Sequence, residues 1–230
     1  MNDPNAAKPR DEARTVPAGR PGVFRHGIPI VGIIGGIGSG KSSVAKWVAA
    51  HAPVSVIDAD ALGHEALLEP HVVEALRAMF GSEILGADGR ISRPALAKKV
   101  FGSTPDHLNA RHELERVVHP EIIRKAVEEF GRAAASGMAA VLLDAAILLE
   151  AGWNQECDLV VYVQTPDEIR LQRVRDNRGW TADELHRREA SQWSLDRKQR
   201  GADFTVLNDS DLDHAGRQLL AELCQRGYIN

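Results

Sequence analysis

One stretch holds the densest chemistry in the chain, Gly35-Gly36-Ile37-Gly38-Ser39-Gly40-Lys41-Ser42. A glycine, four residues, then Gly-Lys-Ser is the spacing of a loop that cradles phosphates. Gly35, Gly38 and Gly40 let the backbone turn without Cβ clashes, so successive N–H groups face inward, with Gly36 and Ser39 between them. Ile30 to Ile34 is an apolar run of strand type before the loop, and Ser43 to Ala50 reads as a helix after it. That helix adds its unpaired N–H groups, from about Ser43 backwards, and the positive end of its dipole. Lys41 is spaced to reach the β- and γ-phosphates of a nucleoside triphosphate, and Ser42 offers a hydroxyl to Mg²⁺.

Carboxylates and cations further along can complete a transfer site. A second strand, Pro53 to Ile57, runs into Asp58-Ala59-Asp60. Open α/β sheets place ligands at such strand ends. If Asp58 to Asp60 stay extended, both carboxylates face one way; the alternative makes Asp60 the N-cap of the next helix. A third strand, Ala139 to Leu143, ends in Asp144, which resembles the second acidic element that holds Mg²⁺ in phosphate-loop proteins. Between Arg173 and Arg200 lie eight cations, Arg178 and Lys198 among them, interrupted by acids. The mixed signs argue against a nucleic-acid stripe. They suit either a solvated helical hairpin or a mobile lid that brings arginines to a transferring phosphoryl group.

These residues need a scaffold. Cys157 to Val163 is a fourth strand and Asp203 to Leu207 a fifth, ending at Asn208. Thr165-Pro166-Asp167-Glu168 reads as a helix start with a Thr cap, and Asp211 to Arg226 as a closing helix with Leu212, Leu219, Leu220 and Leu223 inward. The order is a doubly wound, mainly parallel five-stranded α/β sheet. Residues 61–135 hold no strand and exceed a plain crossover, so they form a helical insertion suited to a second substrate. Its helices are expected over Pro70–Phe80, from Pro94 with Leu96, Val100 and Phe101 inward, over Pro105–His119 and over Pro120–Ala135, broken at His119-Pro120.

Residues 1–27 carry four prolines, mixed charge and little apolar bulk, and are expected to be a disordered extension without a secretory core. The remaining 28–230 form one domain: core 28–60 and 139–230, insertion 61–135, lid about 175–200. A net charge of -4 gives no ground for a nucleic-acid or anionic-membrane partner, and no apolar run reaches a membrane span. Two cysteines, Cys157 and Cys224, build no disulfide framework and suit a reducing cytoplasm.

Taken together the chain resembles the dephospho-CoA kinases, from Ile30 to Gln225. The resemblance rests on the loop, on Ile57-Asp58-Ala59-Asp60, on Asp88-Gly89 followed by Arg93 and Val100-Phe101, and on His119-Pro120. It continues through Asp144 to Glu150, Arg173, Gln192, Lys198, and Ala202-Asp203 leading to Asn208. Ile34, Ala146 and Asp209-Ser210 depart from the family's common Thr, Pro and Gly. The resemblance implies a P-loop kinase fold and ATP-dependent phosphorylation of the ribose 3′-hydroxyl of dephospho-CoA, giving CoA and ADP. It makes Asp60 the general base, places Arg93 and His119 with the acceptor, turns Arg173 and Arg178 toward ATP, and puts Asn208 near the nucleotide. The chain is expected to work in the cytoplasm as a monomer or weak homo-oligomer, on small-molecule substrates.

Two other readings compete. A kinase of the same fold acting on a nucleoside, nucleotide or sugar acid shares the loop, Asp60 and the lid. A GTP-binding switch matches Asp60-Ala61-Leu62-Gly63, but that stretch follows the first helix too soon, and Asn208-Asp209-Ser210-Asp211 lacks the lysine of a guanine-reading Asn-Lys-x-Asp.

Overall fold

The computed structural model describes residues 27–102 and 104–230; the extension expected over 1–27 therefore lies outside the described residues except for Gly27. Five parallel strands form a single sheet in the order β2-β3-β1-β4-β5. They are β1 (Ile30–Gly35), β2 (Val54–Asp58), β3 (Ala140–Asp144), β4 (Leu159–Gln164) and β5 (Phe204–Leu207). β1 is buried along its whole length because it is the central strand, flanked by β3 and β4. Its apolar run has no alternation for that reason. The strand order reverses beside β1, so the C-terminal ends of β1 and β4 border the crevice where open sheets bind ligands. Side chains confirm the layering: α1 (Lys41–Ala49) and α9 (Leu212–Gln225) cover one face with Val44, Ala45, Val48, Ala215, Leu219 and Leu223.

The described chain divides into two compact units, residues 59–129 and the remainder. The larger contains the sheet, α1 and α9, and three helices between β4 and β5: α6 (Asp167–Arg178), α7 (Ala182–Glu189) and α8 (Leu195–Arg200). The smaller contains α2 (Ala59–Ala66), α3 (Pro70–Phe80), α4 (Arg93–Val100) and most of α5 (Pro105–Ala135). Val72, Leu76, Ile84, Leu96 and Val100 are buried there. Ser92 caps α4 by accepting from the Ala95 N–H at 3.4 Å, with Pro94 in the first turn, as the sequence predicts.

Five local expectations are corrected. His119-Pro120 does not divide two helices; α5 runs through Pro120 unbroken. Val118, Ile122, Ala126, Phe130 and Ala133 are all buried at steps of four and three, so one continuous buried stripe outweighs the lost hydrogen bond at the proline, a penalty of about 3 kcal/mol. Asp58 to Asp60 do not stay extended, and Asp60 is not an N-cap. The helix begins at Ala59, which buries Ala59, Leu62 and Ala66 on one face and leaves Asp60 in the first turn, where a negative charge suits the dipole. Thr165 does not cap α6; the residue before that helix is Pro166 and it makes no side-chain cap. Phe101 is 60% exposed, since α4 has ended and the chain there is extended; the Arg111 guanidinium lies 4.9 Å from its ring centroid instead. Leu212 is also exposed, because it opens α9 just after the Asp211 cap and the buried face starts at Ala215.

Candidate active site

The loop of 35–42 joins β1 to α1 and turns through two left-handed glycines, Gly38 at φ 78° and Gly40 at φ 82°. Any side chain at either position would be strained by that φ. It would also collide with neighbours: a Cβ on Gly40 would lie 2.6 Å from Asn208 Nδ2. Gly40 caps α1 without a side-chain hydrogen bond, and no acid stands in the first turn. The first N–H groups of α1 and its positive end are thus left for an anion.

What holds the loop is its outer side. The carbonyl of Ser39 accepts three hydrogen bonds: from Asn208 Nδ2 at 2.7 Å, Thr165 Oγ1 at 2.9 Å and Arg173 Nη1 at 3.1 Å. The carbonyl of Ile37 accepts from Arg170 Nη1 at 3.0 Å. Carbonyls that point outward and are occupied leave the N–H side of the loop facing in, which is how a nest for phosphate is made. Asn208 is itself fixed, its N–H donating to the Gln164 carbonyl at 2.8 Å and its own carbonyl accepting from Thr165 Oγ1 at 3.2 Å.

Two lysines sit near the loop in contrasting surroundings. Lys41 Nζ lies 2.6 Å from Asp144 Oδ1, at the end of β3. Asp144 is 2% exposed, and the Lys41 ammonium is the charge that faces its Oδ1. Lys198, on α8, is 1% exposed. Its Nζ donates to the Ala146 carbonyl and to Gln192 Oε1, both at 2.7 Å, and lies 3.2 Å from Glu150 Oε1. Burial pushes the Lys198 ammonium below its ordinary pKa, with Glu150 opposing that shift. Glu150 also accepts the Trp193 N–H at 2.9 Å, so the turn after β3 is tied to the chain before α8.

The residues singled out in the sequence fall into two groups. Gly35, Gly36, Gly38, Ser39, Gly40, Lys41, Ser42 and Ser43, with Asp144, Arg173 and Asn208, lie together in the sheet unit around the loop. Arg178 is not brought to the loop by any such bond; its guanidinium lies 4.8 Å from the Trp180 ring centroid, and Arg188 lies 4.2 Å from the same ring. Asp60, Arg93 and His119 belong to the helical unit, in the first turn of α2, at the start of α4 and midway along α5. Two residues that support the loop carry no motif, Thr165 and Arg170. Thr165 has the sequence signature of a cap, and Arg170 is one arginine among many in α6. Lys198, a marker of the family resemblance, bonds to the turn after β3 and to Gln192 instead.

Comparison with known proteins bears on most of the chain. The family model for dephospho-CoA kinase matches residues 29–214. A dephospho-CoA kinase of Corynebacterium efficiens is 34% identical over 201 residues, spanning 85% of this chain and 98% of its own. One of Rhodopirellula baltica is 34% identical over 213 residues, 92% and 95% of the two chains. Among solved structures, the crystal structure of TT1252 from Thermus thermophilus is 36% identical, with a TM-score of 0.73 over 86% of this chain and 97% of that one.

Proposed function

The chain belongs to the dephospho-CoA kinase family, which phosphorylates dephospho-CoA with ATP to make CoA, and from that premise we propose how its residues divide the reaction. The acceptor atom is the ribose 3′-hydroxyl, and the γ-phosphoryl group moves to it in line. The observation that carries the reading is the loop: its Ser39 and Ile37 carbonyls held by side-chain donors, and Lys41 beside a buried carboxylate. Lys41 exchanges Asp144 for the β- and γ-phosphates when ATP binds. Ser42 and Asp144 are the groups that would hold Mg²⁺, and the buried carboxylate of Asp144, an oxygen donor once Lys41 has moved to the phosphates, fits a hard cation. At that place a bound Mg²⁺ would supply neutralisation of the negative charge on the phosphates.

Asp60 orients the acceptor hydroxyl and takes its proton as the oxygen attacks. Its place in the first turn of α2, two residues past the end of β2, supports that role. Arg93 and His119 hold the acceptor within the helical unit. Arg173 and Arg178 face the nucleotide, the first already bonded to the loop and the second carried at the end of α6. Asn208 acts on ATP through the loop it braces. The lid is the stretch of about 175–200, with α7 and α8 as its helices. Among the described residues no helix is long and apolar enough to cross a membrane, and the free Cys157 and Cys224 support the cytoplasm as the working compartment.

The deciding experiment incubates the protein with ATP, Mg²⁺ and dephospho-CoA and reads the product by mass. One added phosphoryl group on dephospho-CoA is expected. ATP consumption stimulated by uridine or gluconate instead would transfer the chain to a different acceptor class. Within the reaction, Asp60→Asn should lower turnover about 100-fold or more while ATP binding is kept, because the base is lost and the phosphate donors are not. Turnover near that of the wild type would remove Asp60 from the mechanism.

A further inference from the structure

Arg170 stands apart from the other arginines of its region because it is 3% exposed. Its guanidinium joins three elements. Nη1 donates to the Ile37 carbonyl in the loop at 3.0 Å, Nη2 donates to Asp167 at 2.8 Å in its own helix, and Nη1 is also paired with Glu189, the last residue of α7. The loop is shaped to receive it: a Cβ on Gly36 would lie 2.9 Å from Arg170 Nη1 and 2.9 Å from Leu195 Cδ2. A Cβ on Gly38 would lie 2.8 Å from the Arg170 carbonyl, so the backbone of α6 is pressed against the same loop. Nε is buried without a hydrogen-bond partner, which leaves the two Nη atoms as the working donors.

The two carboxylates differ. Asp167 is 79% exposed and Glu189 is 19% exposed. The exposed pair is solvated and worth little, while the sheltered one sets the position of the guanidinium. Arg170 thereby carries a mechanical link from α7 to the carbonyl of Ile37, four residues before Lys41. We infer that the Arg170–Glu189 pair is a positioning device that ties helix α7 to the phosphate loop and sets the loop's affinity for the triphosphate of the nucleotide. The inference rests on the loop being the ATP site proposed above. Glu189 fixes the plane of the guanidinium, the guanidinium holds the Ile37 carbonyl out, and the loop N–H groups are kept convergent. Neither side chain is assigned a contact with substrate.

The test is ATP affinity, measured by calorimetric titration of the full chain without acceptor, alongside steady-state KM values for ATP and for dephospho-CoA. Arg170→Gln and Glu189→Gln should each weaken ATP binding about tenfold, a step of about 1.4 kcal/mol. KM for dephospho-CoA should stay at its wild-type value in both. The double variant should be about as weak as the worse single one, since each change breaks the same link. Arg170→Lys keeps the charge but has no fork to serve both Ile37 and Glu189, and should not restore affinity.

A merely structural pair predicts another pattern, in which the folded fraction and kcat fall while ATP affinity per folded molecule is unchanged. That pattern, or fully additive losses in the double variant, overturns the inference. Because Arg170 is buried and its variant is the one at risk of misfolding, Glu189→Gln alone suffices: unchanged ATP affinity in a folded Glu189→Gln protein also overturns it. A wild-type chain that bound no ATP would instead overturn the assignment of the loop.

Discussion

The phosphate loop and the helical unit are held by opposite means. Around the loop, polar partners converge on backbone atoms and most are buried: Asn208, Thr165 and the half-buried Arg173 on one carbonyl, Arg170 on another. In residues 59–129 the polar side chains pair mostly with each other along helix surfaces, as Arg77 does with Glu74 and Arg116 with Glu113. Exposed pairs of that kind are worth little individually. The contrast shows where conformational precision is concentrated. A loop that must present N–H groups to a triphosphate needs its carbonyls fixed by buried donors, whereas a helical unit keeps its own backbone satisfied and needs only a small apolar core.

The comparison can be broken first at the loop. Lys41→Ala should lower kcat/KM for ATP by about 100-fold or more, about 3 kcal/mol of transition-state stabilisation, with weakened nucleotide binding as well. Equilibrium titration with ATP and initial rates check it, and an unchanged nucleotide affinity would count against the phosphate role of Lys41. Next in size, Lys198→Met removes a buried donor from Gln192 and the Ala146 carbonyl and the partner charge from Glu150. A loss of about 2 kcal/mol is expected, read as a lower urea midpoint. Adding Glu150→Gln to that variant should cost less than the sum of the two single changes, because they share one cluster.

The smallest effect is expected in the helical unit. Glu121 on α5 is 5% exposed and paired with Arg124 at 2.5 Å, with His71 at 3.4 Å. The hydrogen bond from Arg124 holds its carboxyl below the ordinary glutamate value of 4.5, against a smaller opposing push from burial. A depressed carboxyl contributes stability above the unfolded pKa and loses it as pH falls through the folded one. Glu121→Gln should therefore lower the thermal midpoint near pH 7 by about 2 °C. That difference should close as the pH is lowered below 4.5 and Glu121 in the wild type takes up its proton. A gap that stayed constant across that range would mean the ionised carboxylate contributes nothing there.

Much of this molecule is determined by local sequence. The five strands, the parallel order of winding, the loop, the Asp144 strand end and the start of α4 follow from apolar runs and turn chemistry within about ten residues of each feature. Such features are legible because their causes are local. The unbroken course of α5 was not, because the rule for an internal proline is local while the buried stripe from Val118 to Ala133 that overrides it is tertiary. Thr165 failed for the same reason: Thr followed by Pro and two acids reads as a cap, yet its hydroxyl is drawn to the Ser39 carbonyl 126 residues away in sequence. The sequence by itself determined the glycine-rich loop between β1 and α1 and the residues that form it. Only the tertiary structure decided what braces that loop from behind, because Arg170, Thr165 and Asn208 act on backbone carbonyls, and a carbonyl leaves no mark in the pattern of side chains.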